Sequence, residues 1–152
     1  MNNINSRSEK KSKIKNFLIA LVAFILIKEL GGYALATYNK SNNQDRFIET
    51  LYEEVDKIQE TLPIKGDEFT TIEGISFDGS TITYSNTISI PSKDIERDAL
   101  ESILEDNFKV SCRNPDMKAL LDKHITYRYS YQDLEGVYIG SFDLTKDICQ
   151  NL

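Results

Sequence analysis

The most reactive side chains in the sequence belong to two cysteines, Cys112 and Cys149, and one histidine, His124. Nucleophilic catalysis by a serine or cysteine needs a general base, and His124 is the one imidazole in the chain. A zinc site needs more cysteine and histidine ligands at closer spacing. Acidic residues are so common that no pair of carboxylates stands out for acid–base work. We therefore predict a protein that is not an enzyme and that needs no metal or cofactor.

The two cysteines instead favour a disulfide bond, provided that the chain is exported to an oxidising compartment. A bond between Cys112 and Cys149 closes a long loop, which by chain-entropy reasoning stabilises the fold by about 4 kcal/mol. The compartment is determined by the N-terminal region of the sequence.

An apolar run at residues 17–27 follows a basic flank, residues 1–16, that is expected to stay in the cytoplasm. As an uncleaved signal-anchor, residues 17–38 would cross the bacterial inner membrane once and leave the C-terminal domain in the periplasm. Lys28 and Glu29 would then lie near the centre of the membrane helix. A charged pair at that depth is costly unless it is partnered, so both residues are candidates for binding a membrane-embedded protein.

The alternative is a signal peptide that is cleaved near Ala36, because Ala34-Leu35-Ala36 supplies the small residues that a signal peptidase needs. Cleavage would give a secreted or periplasmic protein. The signal-anchor is favoured because the basic region is long and the alanines lie far beyond the apolar run. In both interpretations residues 39–45 form a short polar tether, and residues 46–152 form an exported domain.

The exported part of the chain is strongly acidic. From Thr37 onward it carries 12 lysines and arginines against 22 acids, a net charge of −10. Nucleic-acid phosphates and anionic lipids are bound by basic surfaces, so neither is an expected partner. The acids serve either solubility alone or electrostatic steering of a basic protein partner.

Hydrophobic periodicity predicts a mixture of helices and strands from Phe47 onward. The expected order is helix, hairpin, helix, short helix and hairpin, which gives an α+β fold with a four-stranded antiparallel sheet and helices on one face. Alternation of apolar and Ser/Thr residues indicates that one sheet face is buried and the other wet. The predicted boundaries are a helix at 47–62, a turn at Asp78-Gly79, a helix at 94–107, a helix start at Asn114-Pro115 and a final turn at 132–136 (QDLEG).

Three tyrosines, Tyr127, Tyr129 and Tyr131, alternate along the first strand of the last hairpin and so share one face. One interpretation is a core that uses tyrosine because the hydroxyls reach the domain edge. The other is an aromatic patch that binds a protein partner, which makes these residues candidate partner-binding residues.

An ordered pattern marks the C-terminal half: a cysteine shortly before a proline, a leucine pair, Y-x-Y-x-D-x-x-G-x-x-I, and a terminal cysteine. Its residues here are Cys112, Pro115, Leu120, Leu121, Tyr129, Tyr131, Asp133, Gly136, Ile139 and Cys149. The pattern resembles that of a family of small exported bacterial domains of unknown function, over about residues 62–149. The resemblance implies export and a disulfide. A weaker likeness, of size and architecture only, is to pilotins, the small outer-membrane lipoproteins of secretion systems.

Together these observations predict a non-enzymatic interaction domain, exported to the envelope and tethered to the membrane through residues 17–38. Its expected role is that of an accessory or assembly subunit of an envelope complex. The alternative is an acidic inhibitor of a basic envelope hydrolase. The expected partner is another protein, basic or membrane-embedded, and not a nucleic acid.

Overall fold

The computed structural model describes residues 44–152. The predicted signal-anchor, with Lys28 and Glu29, lies outside the described residues. Among the helices that are described, none has the length and apolar character needed to cross a membrane. In chain order the elements are α1 (Gln44–Gln59), β1 (Ile64–Lys65), β2 (Thr70–Phe77), β3 (Thr81–Ile88), α2 (Arg97–Ser111), α3 (Pro115–Leu121), β4 (Thr126–Asp133), β5 (Tyr138–Leu144) and α4 (Lys146–Asn151).

Helix α1 begins at Gln44, inside the range predicted as a tether, and its apolar residues recur at helical spacing. Phe47, Leu51, Val55 and Ile58 are all buried against the sheet. The last helical residue, Gln59, accepts a hydrogen bond through Oε1 from the backbone N–H of Ile75, at 2.8 Å. This bond lies beside a β-bulge of strand β2 and fixes the end of α1 on the sheet.

The sheet has five strands in the order β1-β2-β3-β4-β5, so the prediction of four strands is wrong. The additional strand, β1, is two residues long and pairs Ile64 with Ile72 and Lys65 with Thr71. Two residues are too few to show an alternating pattern, which is why the sequence does not reveal this strand.

The prediction of an entirely antiparallel sheet is also wrong. The central strands β3 and β4 are parallel, in register from Thr81 opposite Thr126 to Ile88 opposite Asp133. The two strands are joined through α2 and α3, and this helical crossover returns the chain to the end of the sheet where β3 starts. As predicted, one face of the sheet is apolar, and it belongs to the same core as the buried residues of α1, α2 and α3.

The predicted turn and cap residues act as expected. Asp78 Oδ1 accepts hydrogen bonds from the backbone N–H groups of Ser80 and Thr81, at 2.9 and 2.7 Å, and Gly79 has a φ of 98°. These backbone bonds lower the pKa of the Asp78 carboxyl. Asn114 caps α3 by accepting from the N–H groups that follow it, with proline at the first helical position.

Helix α2 starts at Arg97, after a short 3-10 turn at Ser92–Asp94, and it ends next to Cys112. The final helix, α4, was not predicted because it has only six residues. It carries Cys149, which forms the predicted disulfide with Cys112. The bond therefore joins the C-terminal end of α2 to the last helix of the chain.

Candidate functional site

A surface depression lies along one exposed side of α1. The depression is open and shallow, with a volume of about 500 Å³. Its two apolar side chains lie beside the buried stripe of α1, and its carboxylates lie on their other side. We call it the α1 groove, and its lining residues are Asp45, Ile48, Glu49, Tyr52, Glu53 and Asp56.

The central side chain of the α1 groove is Tyr52, which is 41% exposed. One side of its ring packs on Phe77 at the end of β2, with ring centroids 4.9 Å apart and planes inclined by 54°. Its hydroxyl lies 3.4 Å from the point where a Cβ on Gly79 would stand. The β2–β3 turn thus approaches Tyr52 closely and holds an amphipathic ring at the surface, which suits it to contact a partner.

The carboxylates of the α1 groove are close together on one helix. Glu49, Glu53 and Asp56 are exposed and form no salt bridge with any residue that the structure describes. On the neighbouring side of the same helix, Glu54 is buried and accepts a 2.7 Å hydrogen bond from Lys57 Nζ. The groove therefore presents negative charge to the solvent.

In the sequence, Tyr52 lies directly beside Leu51 of the core stripe of α1. Ile48 and Tyr52 are four residues apart and so share one side of α1, where Ile48 packs partly on the core and Tyr52 is exposed. This spacing is the signal that identifies the groove from sequence. This signal can be interpreted only when the side of α1 that faces the sheet is known, and the structure supplies that information.

The candidate tyrosines Tyr127, Tyr129 and Tyr131 lie in the core and not at the surface. The ring of Tyr84 stacks with that of Tyr129, with centroids 5.4 Å apart, and with that of Tyr127, with centroids 6.5 Å apart. Burial raises the pKa of each of these phenols. A partner would reach the three rings only by opening the core, so their partner-binding role stays a prediction.

The hydroxyls of Tyr84, Tyr127 and Tyr129 are buried and form no hydrogen bond with any described residue. The expectation that the tyrosine hydroxyls reach the domain edge is therefore wrong for these residues. The rings extend from the sheet towards α2, where Phe108 packs against Tyr129 with centroids 5.7 Å apart. The helices cover the sheet too closely for the hydroxyls to meet solvent.

The single histidine, His124, is exposed and adopts a φ of 62° in the turn between α3 and β4. The nearby carboxylate of Asp122 pairs with Lys146 Nζ at 2.9 Å. The hydrogen bond from Lys146 is the largest cause of the lowered pKa of Asp122. Within the described part of the chain, no three residues of the metal-binding types are clustered.

The wet face of the sheet carries one strong ion pair. Arg128 donates two hydrogen bonds of 2.7 Å to the two carboxylate oxygens of Asp143, across the β4–β5 pair. The guanidinium lowers the pKa of Asp143. The guanidinium and the carboxylate form hydrogen bonds with each other, and this cross-strand pair stabilises the register of β4 and β5.

The chain matches no known protein family, and no curated protein matches its sequence. Its fold is similar to that of two pilotins of type II secretion systems. EpsS from Vibrio vulnificus aligns with a TM-score of 0.59 at 16% identity, over 72% of this chain and 98% of EpsS. AspS from Vibrio cholerae aligns with a TM-score of 0.52 at 21% identity, over 75% of this chain and 99% of AspS.

A third similar structure is PA3611 from Pseudomonas aeruginosa, a candidate secreted protein, with a TM-score of 0.57 at 14% identity. That alignment covers 70% of this chain and 92% of PA3611. The three alignments define the fold class of the domain: it is the α+β fold seen in these two pilotins. The architectural likeness expected from the sequence is thus confirmed, whereas no family with the cysteine–proline–tyrosine pattern is identified.

Proposed function

We propose that this chain is a non-enzymatic interaction protein that is exported to the cell envelope and acts as an accessory or assembly subunit of an envelope complex. The observation that carries the proposal is the fold, which two pilotins of secretion systems share. The Cys112–Cys149 disulfide supports an exported location because such bonds persist in oxidising compartments. Tethering through residues 17–38 belongs to the same proposal.

The surface proposed to make the interaction is the α1 groove. It combines an exposed aromatic ring with exposed carboxylates. Exposed aromatic residues are enriched at protein interfaces and often dominate the binding energy. The groove also follows closely in the sequence on the proposed membrane segment, since its first lining residue is Asp45.

Site-specific photo-crosslinking in native membranes tests this proposal. A photoreactive phenylalanine analogue in place of Tyr52 should capture one protein, identified by mass spectrometry as a subunit of an envelope complex. The same analogue in place of Val110, which is 49% exposed on α2, provides the matched control and should capture none. Crosslinking that does not depend on position, or none from any surface, would count against the proposal.

The exposed acids of the groove also favour a second candidate, an inhibitor of a basic envelope hydrolase. An inhibitor would bind the hydrolase with one-to-one stoichiometry and slow its reaction. An assembly subunit would leave hydrolase activity unchanged. A titration of purified basic peptidoglycan hydrolases with the full chain separates the two functions.

A further inference from the structure

We infer that the α1 groove binds a cationic segment of its partner protein, with an apolar side chain against Tyr52 and lysines or arginines facing the adjacent acids. This inference rests on the proposed function, because it specifies the chemistry of the partner that the interaction surface accepts.

The spacing of the acids supports a cationic occupant. Asp45, Glu49 and Glu53 follow one another at intervals of four residues, and Asp56 is three residues further. Like charges at these spacings are neighbours on a helix and disfavour it. The acids therefore repel one another along α1, and a bound cationic segment would relieve this repulsion.

On helix α2, by contrast, three acids are paired with basic residues. On α2, Glu101 pairs with Arg97 at 2.9 Å, and Lys109 contacts Glu105 at 2.9 Å and Asp106 at 3.3 Å. These acids are neutralised within their own helix. Glu49, Glu53 and Asp56 have no such salt bridge in the described part of the chain, so the α1 groove is a place where a partner's charges find unpaired counterparts.

The apolar side of the groove distinguishes this site from a merely acidic surface. Tyr52 is held by Phe77 on one side, so it loses little conformational freedom when a partner binds. The adjacent Ile48 is half-buried and extends the apolar strip along the helix. A segment with an apolar side chain next to basic residues matches this arrangement.

The same charges disfavour the other occupants of such a groove. A second copy of the chain would place one set of acids against another, which is repulsive. An anionic lipid surface would be repelled for the same reason. A cationic protein segment is the occupant whose charge and apolar character both fit.

Binding of short tryptophan peptides to the full chain, in neutral nanodiscs, tests the inference. The chain contains no tryptophan, so the fluorescence of the peptide reports binding without interference. The probe is a blocked pentapeptide with one tryptophan between two pairs of lysines. Two further peptides replace the lysines with serines or with glutamates.

The lysine peptide should bind saturably, and the serine and glutamate peptides should not. The E49Q/E53Q variant should weaken binding at least about fivefold, since two exposed ionic contacts are lost. The matched control is E68Q/E135Q, which changes the net charge equally at exposed positions outside the groove and should leave affinity within about twofold. Replacing Tyr52 with serine should weaken binding about tenfold, and replacing it with phenylalanine should preserve it.

Salt provides an independent readout. The association rate of the lysine peptide should fall steeply as ionic strength rises beyond about 0.15 M, where the screening length is about 8 Å. Equal weakening by the two double variants would overturn the inference, because only the overall charge would then matter. Equal binding of the serine peptide would do the same.

The two levels of the proposal fail in different ways. If photo-crosslinking at Tyr52 captures an envelope subunit but the lysine peptide does not bind, the cationic occupant is wrong and the proposed function stands. If crosslinking captures no partner from any surface, the proposed function is wrong whatever the peptide does.

Discussion

The carboxylate of Asp133 accepts a 2.9 Å hydrogen bond from the backbone N–H of Ser92, 41 residues earlier in the chain. Through its other oxygen, Oδ1, Asp133 accepts from the N–H groups of Glu135 and Val137, at 3.0 and 2.9 Å. One buried carboxylate thus forms the β4–β5 turn and attaches it to the segment that follows β3. Gly136, with a φ of 77°, completes the turn.

The D133N variant tests this arrangement. An asparagine retains one oxygen for the turn but presents an NH₂ group to the Ser92 N–H, so the long-range bond is lost and the unfolding midpoint should fall. The wild-type pKa of Asp133 is lowered, chiefly by the Ser92 bond. A lowered folded-state pKa contributes stability above the unfolded pKa of about 3.9, and that stability is lost as the pH falls below it.

The difference in stability between wild type and D133N should therefore be present at pH 7 and shrink below about pH 4. Urea unfolding across this range measures it. The control is E135Q, in the same turn, whose exposed side chain forms no described hydrogen bond. A difference that is constant with pH would show that the carboxylate charge contributes nothing.

Removal of the disulfide should destabilise the domain substantially. The C112S/C149S variant releases a loop of sequence separation 37 and should lose about 4 kcal/mol of unfolding free energy. Guanidinium unfolding of the oxidised wild type and of the cysteine-free variant measures this difference.

Thiol titration of the unreduced, denatured protein should find no free thiol. Two titratable thiols in protein taken from its native envelope would contradict the exported location.

The buried tyrosines make the domain sensitive to alkali. Burial raises the pKa of Tyr84, Tyr127, Tyr129 and Tyr131, so the folded state retains these protons when the unfolded state loses them. Stability should be complete below the unfolded pKa of about 10 and should decline as the pH rises above it. Absorbance at 295 nm and far-UV circular dichroism, recorded together, should show these phenols ionising with loss of structure. Complete ionisation without unfolding would contradict the burial.

Deleting one of the buried hydroxyls should increase stability. Tyr127 is fully buried, and its hydroxyl has no hydrogen-bond partner among the described residues. A buried polar group without a partner costs about 1–3 kcal/mol, so Y127F should raise the unfolding free energy by about 1 kcal/mol. The exposed residue Tyr138 gives the matched control, Y138F, which should have no effect. A destabilised Y127F would reveal an interaction of the hydroxyl that the packing does not account for.

The N-terminal prediction is tested by intact mass. Native protein extracted from membranes should retain residues 1–36, with Lys28 and Glu29 inside the bilayer. Replacing both with leucine should strengthen membrane retention and weaken a specific contact with a membrane partner. A mature species that starts at Thr37 would show that the segment is a cleaved signal peptide.

Local chemistry in the sequence predicts the turns, the caps and the disulfide correctly. Asp78-Gly79 and Asn114-Pro115 act through short-range hydrogen bonds and fixed backbone angles, which depend on a few adjacent residues. The buried stripe of α1 follows from periodicity in the same way. Such features need no knowledge of the rest of the fold.

Strand direction is not encoded in this local manner. The alternating residues of β3 and β4 give the same apolar face whether the strands run parallel or antiparallel. The direction depends on how α2 and α3 carry the chain across the sheet, which is a property of the whole domain. The α1 groove was missed for a related reason, because Tyr52 is identified as a surface residue only when the position of the core is known.

The parallel pairing of β3 and β4 also governs when the domain can fold. When the chain emerges from its N-terminal end, the β2–β3 hairpin precedes β4, and β3 has no central neighbour until residues 126–133 have followed. Until then an apolar strand edge is exposed, and such edges pair readily with other chains. The most vulnerable moment for this protein therefore falls between the arrival of Ile88 and that of Thr126, and a delay there should favour aggregation.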